Sequence, residues 1–490
     1  MNKVSNFVNK NSHKLLWLAI ILYAIIFSAI CIWKYSHFLY NALDLAIINN
    51  VFYNTLHGSW WWSSIQGHSY LGDHFTPILI ILLPIYYLWQ SPEILLILQS
   101  LFLALAAWPI YKISQLILKN DKLALGLGIL WLINPLVHNI NLYEFHFIAL
   151  LPFFFLMAFY YYLKLKKKSD KKIFLYLCTY LFLCLLVRED ISFILLFFLI
   201  VTFFDLRTIG HKTRLKLILF ANSLLLILAW VAITTKIIAA FSPSSFSPFA
   251  YYYNWLFNSN LTEILKHIFS FGNFEMIIGF LLPFLFIPLV KPKWLLLALA
   301  PLAQIIFSAS GGGALVWQMH YGALFLPTII IAFIYGFKKI NKFIFNKLKS
   351  NYLLIFILII INIYLGPNFG AWENDKTKKA LDFNMISKNS SILASFNYLP
   401  NFSSRSQIYS LHYYFLDVQQ FAQAPYIIEK KPAYIILNQD DYKYYDSILK
   451  TSAWARLYYI KGYKRIKKLL ADYEQIAASN QTILFRALKD

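Results

Sequence analysis

Long apolar runs recur between residues 15 and 365 and decide the solvent in which this chain folds. Eleven of these runs are long enough, or nearly so, to cross about 30 Å of hydrocarbon. They are Leu15–Trp33, Ile94–Tyr111, Leu123–Val137, Phe145–Leu163, Ile173–Val187, Ile191–Leu206, Leu217–Ala240, Phe274–Val290, Trp294–Ala309, Tyr321–Phe337 and Tyr352–Leu365. Hydrophobic residues make up 59% and charged residues 13% of the chain, which excludes an ordinary water-soluble globule. The sequence therefore predicts an all-α polytopic membrane bundle.

A twelfth apolar run, Phe75–Trp89, is interrupted by Pro77 and Pro84, which disfavour a continuous helix. Basic residues indicate how this run lies, because Lys and Arg are enriched in the cytoplasmic loops of membrane proteins. If the run does not change sides, one face of the membrane collects 23 basic residues before residue 366, and the other face collects four. We therefore predict about eleven spans plus one re-entrant or hairpin segment. The N-terminus is predicted in the cytoplasm, and the protein in the plasma membrane as a multi-pass chain.

The composition changes after residue 365. Residues 366–490 contain no long apolar run, and short β-rich pieces alternate with helix-like stretches such as Tyr463–Asp472. The β-rich pieces are Ile392–Phe396, Gln407–Leu411, Ala433–Leu437 and Thr482–Leu488. We predict a transmembrane domain over residues 1–365, with a first outer loop at residues 34–74, and a small extracytoplasmic α/β domain over residues 366–490.

The net charge of +22 does not indicate a nucleic-acid partner. A nucleic-acid-binding protein gathers Lys and Arg on one folded face, whereas most basic residues here occur in short bursts between apolar runs. The acidic residues carry separate information, because the positive-inside rule says little about them. Eight of those before residue 366 fall at or near the predicted outer face, namely Asp44, Asp73, Glu93, Glu144, Glu189, Asp190, Glu263 and Glu275. This distribution indicates an outward-facing polar site.

The first outer loop contains Asp44 in a stretch whose apolar residues recur at helical spacing. One interpretation is an amphipathic surface helix in which Asp44 is incidental. The other is functional, because a carboxylate close to lipid is costly unless it has a role. Such a carboxylate can act as a general base toward an acceptor hydroxyl, or it can hold a divalent cation.

Further polar groups lie at the outer ends of the predicted spans, namely Asp73-His74, Glu144-Phe-His146, Arg188-Glu189-Asp190 and His320-Tyr321. Glu144 and His146 are two residues apart, so on a helix only one of them would face the site. Arg188 could bind phosphate oxygens through its planar guanidinium, while Asp190 could equally cap the helix that follows it. His74, His146 and His320 together make a metal site possible, although no spacing such as His-Glu-x-x-His supports it.

Five motifs follow one another along the chain, namely Asp44-Leu-Ala-Ile with Asn49-Asn50, His74-Phe-Thr-Pro77, Glu144-Phe-His146, Arg188-Glu189-Asp190, and His320-Tyr321 with Pro327. In this order they resemble the prokaryotic polytopic membrane proteins catalogued as DUF2079, a domain of unknown function. That family is similar, at a distance, to the GT-C glycosyltransferases, which transfer a sugar from a polyprenyl-phosphate donor outside the membrane. In those enzymes an acidic residue of the first outer loop is catalytic or metal-associated, and Asp44 occupies the matching place. Ala42 departs from the Asp-x-Asp or Glu-x-Asp pair of some members.

The resemblance implies a membrane glycosyltransferase that moves a sugar from a polyprenyl-phosphate donor to an extracytoplasmic glycan, lipid or protein. Its implied catalytic residues are Asp44, Asp73 and Glu144. Its implied substrate-binding residues are His74, His146, Arg188, Glu189, Asp190, His320 and Tyr321. The one candidate cofactor is a divalent cation, Mg²⁺ or Mn²⁺.

Two other classes of function stay open from the sequence. A transporter or lipid flippase would need polar residues deep in the bilayer, whereas most ionisable groups of this chain lie at the ends of the spans. A non-catalytic envelope-assembly protein would use the aromatic outer loops as docking surfaces.

Overall fold

The computed structural model of the chain describes residues 2–40, 43–207, 213–243, 248–343, 348–367, 381–419, 424–451, 453–479 and 481–488. The helices before residue 366 are α1 (Asn2–Ser36), α2 (Asp44–Leu56), α3 (Ile78–Leu88), α4 (Pro92–Leu105), α5 (Ala107–Leu118), α6 (Asp121–Leu132), α7 (Pro135–Leu142), α8 (Leu151–Lys167), α9 (Lys171–Val187), α10 (Ile191–Arg207), α11 (Thr213–Phe241), α12 (Pro248–Tyr253), α13 (Trp255–Asn258), α14 (Leu261–Ile268), α15 (Phe271–Leu281), α16 (Leu299–Ile306), α17 (Ala314–Gln318), α18 (Gly322–Phe343) and α19 (Leu348–Tyr364). A short hairpin of β1 (Trp62–Ser63) and β2 (His68–Ser69) lies within the first outer loop.

Seven helical stretches of the described residues are long and apolar enough to cross a membrane, namely Lys10–Ser36, Pro92–Leu118, Asp121–Leu142, Phe147–Lys167, Phe220–Phe241, Leu261–Phe284 and Gly322–Ile340. Four shorter apolar helices accompany them, namely Ile78–Leu88, Ile191–Asp205, Pro292–Ile306 and Asn351–Tyr364. Each of the eleven predicted runs overlaps helical structure. The protein is a polytopic membrane bundle, which confirms the predicted fold class.

The predicted run Phe274–Val290 differs from a continuous helix. The helix α15 ends at Leu281, and two short 3-10 turns follow it. Leu285 and Phe286 between these turns adopt positive φ angles of 50° and 56°. Pro283 lacks a backbone N–H and clashes with the preceding turn, so an α-helix does not continue through it.

The helix α3 lies within the ambiguous run at residues 75–89. At 1.5 Å per residue its 11 residues extend about 16 Å, too short for a crossing. Before the helix, the backbone N–H of Phe75 donates to Glu189 (2.9 Å), and near its end the Tyr86 hydroxyl donates to Asn49 of α2 (2.9 Å). The start of α3 is therefore bonded to the turn that contains Glu189, and its end is bonded to α2. These bonds are expected for a segment that does not change sides.

Charged residues also gather at the far end of α10. The 17 residues of this helix extend about 25 Å from the turn that contains Arg188. At the far end, Asp205 accepts hydrogen bonds from Lys166 (2.7 Å) and from Lys293. Lys212 and Lys347, which belong to the predicted basic face, lie outside the described residues. The structure thus places Asp205 and its lysines at the opposite end of α10 from Arg188, as predicted. Which of these two ends of the bundle faces the cytoplasm stays a prediction.

The C-terminal part contains a five-stranded sheet in the order β4-β3-β5-β7-β6. The strands are β3 (Ile392–Ala394), β4 (Ile408–Ser410), β5 (Tyr434–Asn438), β6 (Tyr473–Ala478) and β7 (Thr482–Ala487), and the helices are α20 (Leu399–Phe402), α21 (Leu411–Leu416), α22 (Gln439–Thr451) and α23 (Ala453–Leu470). The strands β3, β4 and β5 are parallel, whereas β7 pairs antiparallel with both β5 and β6.

All four predicted β-rich pieces are strands of this sheet, and the predicted α/β character is confirmed. The strand β6 was not predicted, and the predicted helix at Tyr463–Asp472 is the end of the longer helix α23. The predicted boundary at residue 366 stays a prediction, since residues 368–380 lie outside the described residues.

Candidate active site

Asp44 is the first residue of α2, where a carboxylate is favoured by the positive end of the helix dipole. Its Oδ2 atom lies 3.4 Å from Nδ1 of His320, a residue that is far away in the sequence. The side chain of Asp44 is 34% exposed, so a ligand can reach it. The next backbone N–H, that of Leu45, donates to Glu144 (2.8 Å) and fixes the start of the helix.

The ionisation of Asp44 is shifted toward neutral pH. Burial raises its pKa to about 6, although the charges of His74 and Arg188 act in the opposite direction. A base is most effective when its pKa lies near the working pH. Asp44 therefore has the property that proton abstraction from a hydroxyl requires.

Three histidine rings lie beside Asp44. The rings of His146 and His320 stack at a centroid distance of 4.2 Å, and His74 meets His146 edge-on at 6.3 Å. Burial, together with the nearby Arg188, holds the pKa of both His146 and His320 well below the usual value. Nδ1 of His146 accepts a hydrogen bond from the Ile148 N–H (3.3 Å), so Nε2 bears the proton of this neutral ring.

His320 and His74 differ in their partners. Nδ1 of His320 is buried and forms no hydrogen bond among the described residues, although the Asp44 carboxylate lies 3.4 Å away. Nδ1 of His74 instead contacts Glu189 at 2.9 Å. Burial alone would lower the pKa of His74, but the carboxylate of Glu189 raises it above the usual value. The cluster thus combines two neutral rings with one that favours its charged form.

Arg188 is the buried cation of this cluster, with a side chain that is only 7% exposed. Its Nε and Nη2 atoms donate to the two carboxylate oxygens of Asp190, at 2.7 and 2.5 Å. Burial disfavours the charge, but Asp190 holds the pKa of Arg188 above its usual value. These two bonds use two of the five guanidinium N–H groups and leave three for other acceptors.

The Arg188-Glu189-Asp190 turn holds two parts of the site together. Glu189 accepts from His74 and from the backbone of Phe75, and so joins the turn to the end of the first outer loop. The Asp190 side chain pairs with Arg188, and its backbone carbonyl accepts from Phe193 in the first turn of α10.

Tyr321 adjoins the cluster through His320, at a ring distance of 4.3 Å. Asp73 instead contacts side chains of the first outer loop. Its carboxylate accepts a hydrogen bond from Gln66 and lies 3.9 Å from His68, both within the first outer loop. Burial raises the pKa of Asp73. The structure thus brings all ten predicted residues to one end of the bundle, with Asp73 and Glu144 engaged by backbone or loop groups.

The segment that bears Glu144 and His146 is extended and depends on a residue that the sequence did not reveal as functional. The Gln99 side chain, buried in α4, donates to the carbonyls of Asn141 (3.2 Å) and Glu144 (3.4 Å) and accepts from the His146 N–H (3.0 Å). Lys34 donates to the carbonyl of Leu142 (2.6 Å) nearby. A lone glutamine in the apolar run was the one available signal, because a polar group in a span needs a partner.

Two asparagines of α2 bind the C-terminal domain. Asn49 donates to the hydroxyls of Ser403 (2.7 Å) and Ser404 (3.0 Å), and Asn50 donates to the carbonyls of Ser403 (3.1 Å) and Arg405 (2.8 Å). Both asparagines are fully buried. The helix that begins with Asp44 is therefore held between the bundle and the C-terminal domain.

Two of three comparisons with known proteins find similar proteins. A family model described as predicted membrane protein (DUF2079) matches residues 34–466. Among solved structures, ArnT from Cupriavidus metallidurans bound to undecaprenyl phosphate is similar with a TM-score of 0.52 at 11% identity, over 94% of this chain and 97% of that chain. Its apo form gives a TM-score of 0.48 at 9% identity, with the same coverage of both chains. No curated protein matches the chain.

The likeness to ArnT, at 11% identity, concerns the fold, and it confirms the predicted GT-C-like architecture. The family model extends over most of the chain, from the first outer loop to the helix α23. The chain therefore belongs to the DUF2079 family of membrane proteins.

Proposed function

We propose that this protein is a glycosyltransferase that moves a sugar from a polyprenyl-phosphate donor to an acceptor outside the membrane. The observation that carries the proposal is the cluster around Asp44, where a carboxylate with a pKa of about 6 lies beside a buried Arg and neutral histidines. The GT-C-like fold supports it, since ArnT, which shares this fold, has been solved with undecaprenyl phosphate bound.

In the proposed reaction Asp44 is the general base. Its carboxylate takes the proton from the acceptor hydroxyl as the oxygen attacks the anomeric carbon of the donor sugar. The new bond joins acceptor oxygen to that carbon, the bond from the carbon to the phosphate oxygen breaks, and polyprenyl phosphate leaves with the electron pair. A single displacement of this kind inverts the anomeric centre.

Arg188 stabilises the leaving phosphate. Two of its N–H groups are held by Asp190, which fixes the plane of the guanidinium, and the remaining N–H groups are donors for phosphate oxygens. A fixed cation that meets charge developing in the transition state contributes strongly to the rate, because it needs no reorganisation. His320 and Tyr321 line the same side and bind the sugar or the phosphate.

The other predicted residues hold the site in place. Glu144 accepts the N–H of Leu45 and so orients Asp44, while Glu189 fixes His74. His146 supports the ring of His320 by stacking. Asp73 shapes the first outer loop through Gln66.

A divalent cation is not part of the proposed mechanism. Among the described residues, no group of three or more His, Cys, Asp or Glu side chains could hold a metal ion. Asp44 and His320 supply one carboxylate and one ring nitrogen, so a Mg²⁺ or Mn²⁺ ion there would depend on water and substrate phosphate for its other ligands. Ala42 lies outside the described residues. We expect turnover to survive treatment with EDTA. If EDTA abolished turnover and added Mg²⁺ or Mn²⁺ restored it, a metal-dependent mechanism would be required.

The proposal is tested with membranes that contain the protein and a panel of radiolabelled undecaprenyl-phosphate sugars. We expect sugar release from at least one donor, and we expect Asp44→Asn to lower it by about 10²- to 10⁴-fold. Asp121→Asn is the matched control, since Asp121 is an acid at the start of α6, outside the cluster, where its carboxylate accepts from Gln115. Undiminished sugar release by Asp44→Asn would show that Asp44 is not the general base.

A second measurement separates catalysis from lipid movement. Purified wild-type protein and Asp44→Asn should bind undecaprenyl phosphate equally, because the base acts on the acceptor rather than on the lipid. Protein that neither releases any sugar nor binds this lipid would contradict the proposed function. Flipping of a fluorescent polyprenyl phosphate by both proteins, without sugar release, would instead favour a flippase.

A further inference from the structure

A cavity of about 470 Å³ lies at the end of the bundle opposite the candidate active site, where α8, α9 and α5 meet. Its lining residues are Leu116, Tyr161, Lys164, Lys167, Lys168, Asp170, Lys172, Ile173 and Tyr176. Four lysines thus surround one cavity, whose volume is in the range of pockets that bind small ligands.

The charge of this cavity is not balanced by its own acid. The carboxylate of Asp170 accepts the backbone N–H groups of Lys172 (2.9 Å) and Ile173 (3.3 Å), and so caps α9. Lys166, on the same helix as the cavity lysines Lys164 and Lys167, is paired with Asp205. Among the described residues, by contrast, the four cavity lysines form no ion pair. An anionic ligand would supply the missing charge.

The remaining wall of the cavity is aromatic and apolar. Tyr161 and Tyr176 stack at a centroid distance of 5.0 Å, and Nζ of Lys164 lies 6.0 Å from the centre of the Tyr161 ring. Leu175, beside this wall on α9, is 63% exposed, and we expect this apolar side chain to contact lipid. A ligand in the cavity would therefore have a charged end among lysines and a neighbouring path for hydrocarbon chains.

We infer that the α5–α8–α9 cavity binds the phosphate-bearing head group of an anionic glycerophospholipid, whose acyl chains lie along the exposed face of α9. Basic pockets between transmembrane helices recognise such head groups, because converging ammonium groups and hydrogen-bond donors fit the phosphate while the chains stay in the bilayer. The site is separate from the proposed glycosyl transfer, which takes place at the other end of the bundle.

Basic residues at the ends of spans also arise from membrane topology alone, so the test compares two sets of lysines. The first variant is Lys164→Gln, Lys167→Gln, Lys168→Gln and Lys172→Gln. The matched control carries the same change at four exposed lysines of the same predicted face but outside the cavity, Lys10→Gln, Lys14→Gln, Lys338→Gln and Lys339→Gln. Both variants lose four charges from exposed or half-buried positions, and circular dichroism verifies their helical content.

Binding is measured by native mass spectrometry of the purified full chain, titrated with dioleoyl phosphatidylglycerol or dioleoyl phosphatidylcholine. We expect the wild-type protein to bind one phosphatidylglycerol at least about tenfold more tightly than phosphatidylcholine, and the cavity variant to lose this preference. The control variant should keep it within about twofold. Should the cavity variant fail to fold, the single variant Lys168→Glu should still weaken phosphatidylglycerol binding by about fivefold.

Two results would overturn the inference. An equal loss in both quadruple variants would mean that the preference comes from general surface charge rather than from the cavity. Competition by inorganic phosphate at the concentration of the lipid would mean that the cavity binds a free anion. Neither result depends on glycosyl transfer, so both leave the proposed function to its own test.

Discussion

The two ends of the bundle carry charge in different ways. At the end that contains Asp44, ionisable side chains from distant segments touch one another, as when His320 contacts Asp44 and stacks on His146. At the opposite end, Asp205 lies between two lysines, and four more lysines surround an open cavity. The first arrangement raises the pKa of Asp44 toward neutral pH. The second is expected from membrane topology, and we infer that it binds an anionic head group.

This difference teaches how to weigh charged residues in a membrane protein. A lysine at the end of a span is expected from the positive-inside rule, and neighbouring lysines can set the topology in its place. A buried carboxylate or guanidinium at the same depth is costly, so it persists only where a partner or a reaction requires it. The following predictions therefore contrast the two ends.

Among the predictions that contrast the two ends, the largest effect is expected for Arg188. Arg188→Lys keeps the charge but replaces the planar fork by a single ammonium, which cannot bind both Asp190 and a phosphate in the same geometry. We expect sugar release to fall by about 10²-fold, in line with the loss of a donor to developing negative charge. The measurement is donor turnover in membranes at equal protein level. Turnover within twofold of wild type would show that Arg188 is only a structural partner of Asp190.

The next prediction concerns pH. Since burial raises the pKa of Asp44 to about 6, the carboxylate form that acts as base is present above this pH and is lost below it. We expect kcat/KM to fall about tenfold per pH unit below about pH 6, because only the deprotonated form is active. A profile that stays flat down to about pH 4.5 would exclude Asp44 as the base.

A smaller effect is expected at the contact between α2 and the C-terminal domain. Asn50→Ala leaves the buried carbonyls of Ser403 and Arg405 without their donor. We expect the free energy of unfolding to fall by about 1–3 kcal/mol, and turnover to fall with it because α2 is held less firmly. Thermal unfolding in detergent measures the change. Asn258→Ala, at an exposed residue, is the control. An equal loss of stability in this control would show that the contact of Asn50 does not specifically stabilise the protein.

The smallest effect is expected at the opposite end. Lys293→Gln removes one of the two ion pairs of Asp205, and Lys293 is 44% exposed, so water screens the interaction. We expect a change in stability below about 1 kcal/mol and unchanged turnover. Thermal unfolding and sugar release, measured on one preparation, check both. A large loss of turnover would mean that the two ends are coupled.

The sequence predicted the membrane bundle well, because hydrocarbon thickness sets the length of each run. The side of each loop, which follows from the basic residues, stays a prediction. The sequence also placed the polar motifs at one end. The strand β6 was missed because it lies at the edge of the sheet and its outer residues, such as Glu474 and Gln475, are exposed and polar.

The side-chain contacts of the site were beyond prediction, because they join segments far apart in the sequence. The bond from Gln99 to the extended segment at Glu144, and those from Asn49 to Ser403 and Ser404, depend on how helices and domains pack. Local periodicity carries no information on such pairs. For the same reason Glu144, predicted as catalytic, could not be recognised from the sequence as the partner of Leu45.

The central claim is that a polyprenyl phosphate meets Arg188 and Asp44 at one site, and a cryo-EM map of the protein with undecaprenyl phosphate tests it most directly. The account predicts phosphate density within hydrogen-bonding distance of the Arg188 guanidinium, with the Asp44 carboxylate lining the same space. Phosphate density at the lysine cavity of α5, α8 and α9, with none near Arg188, would contradict it.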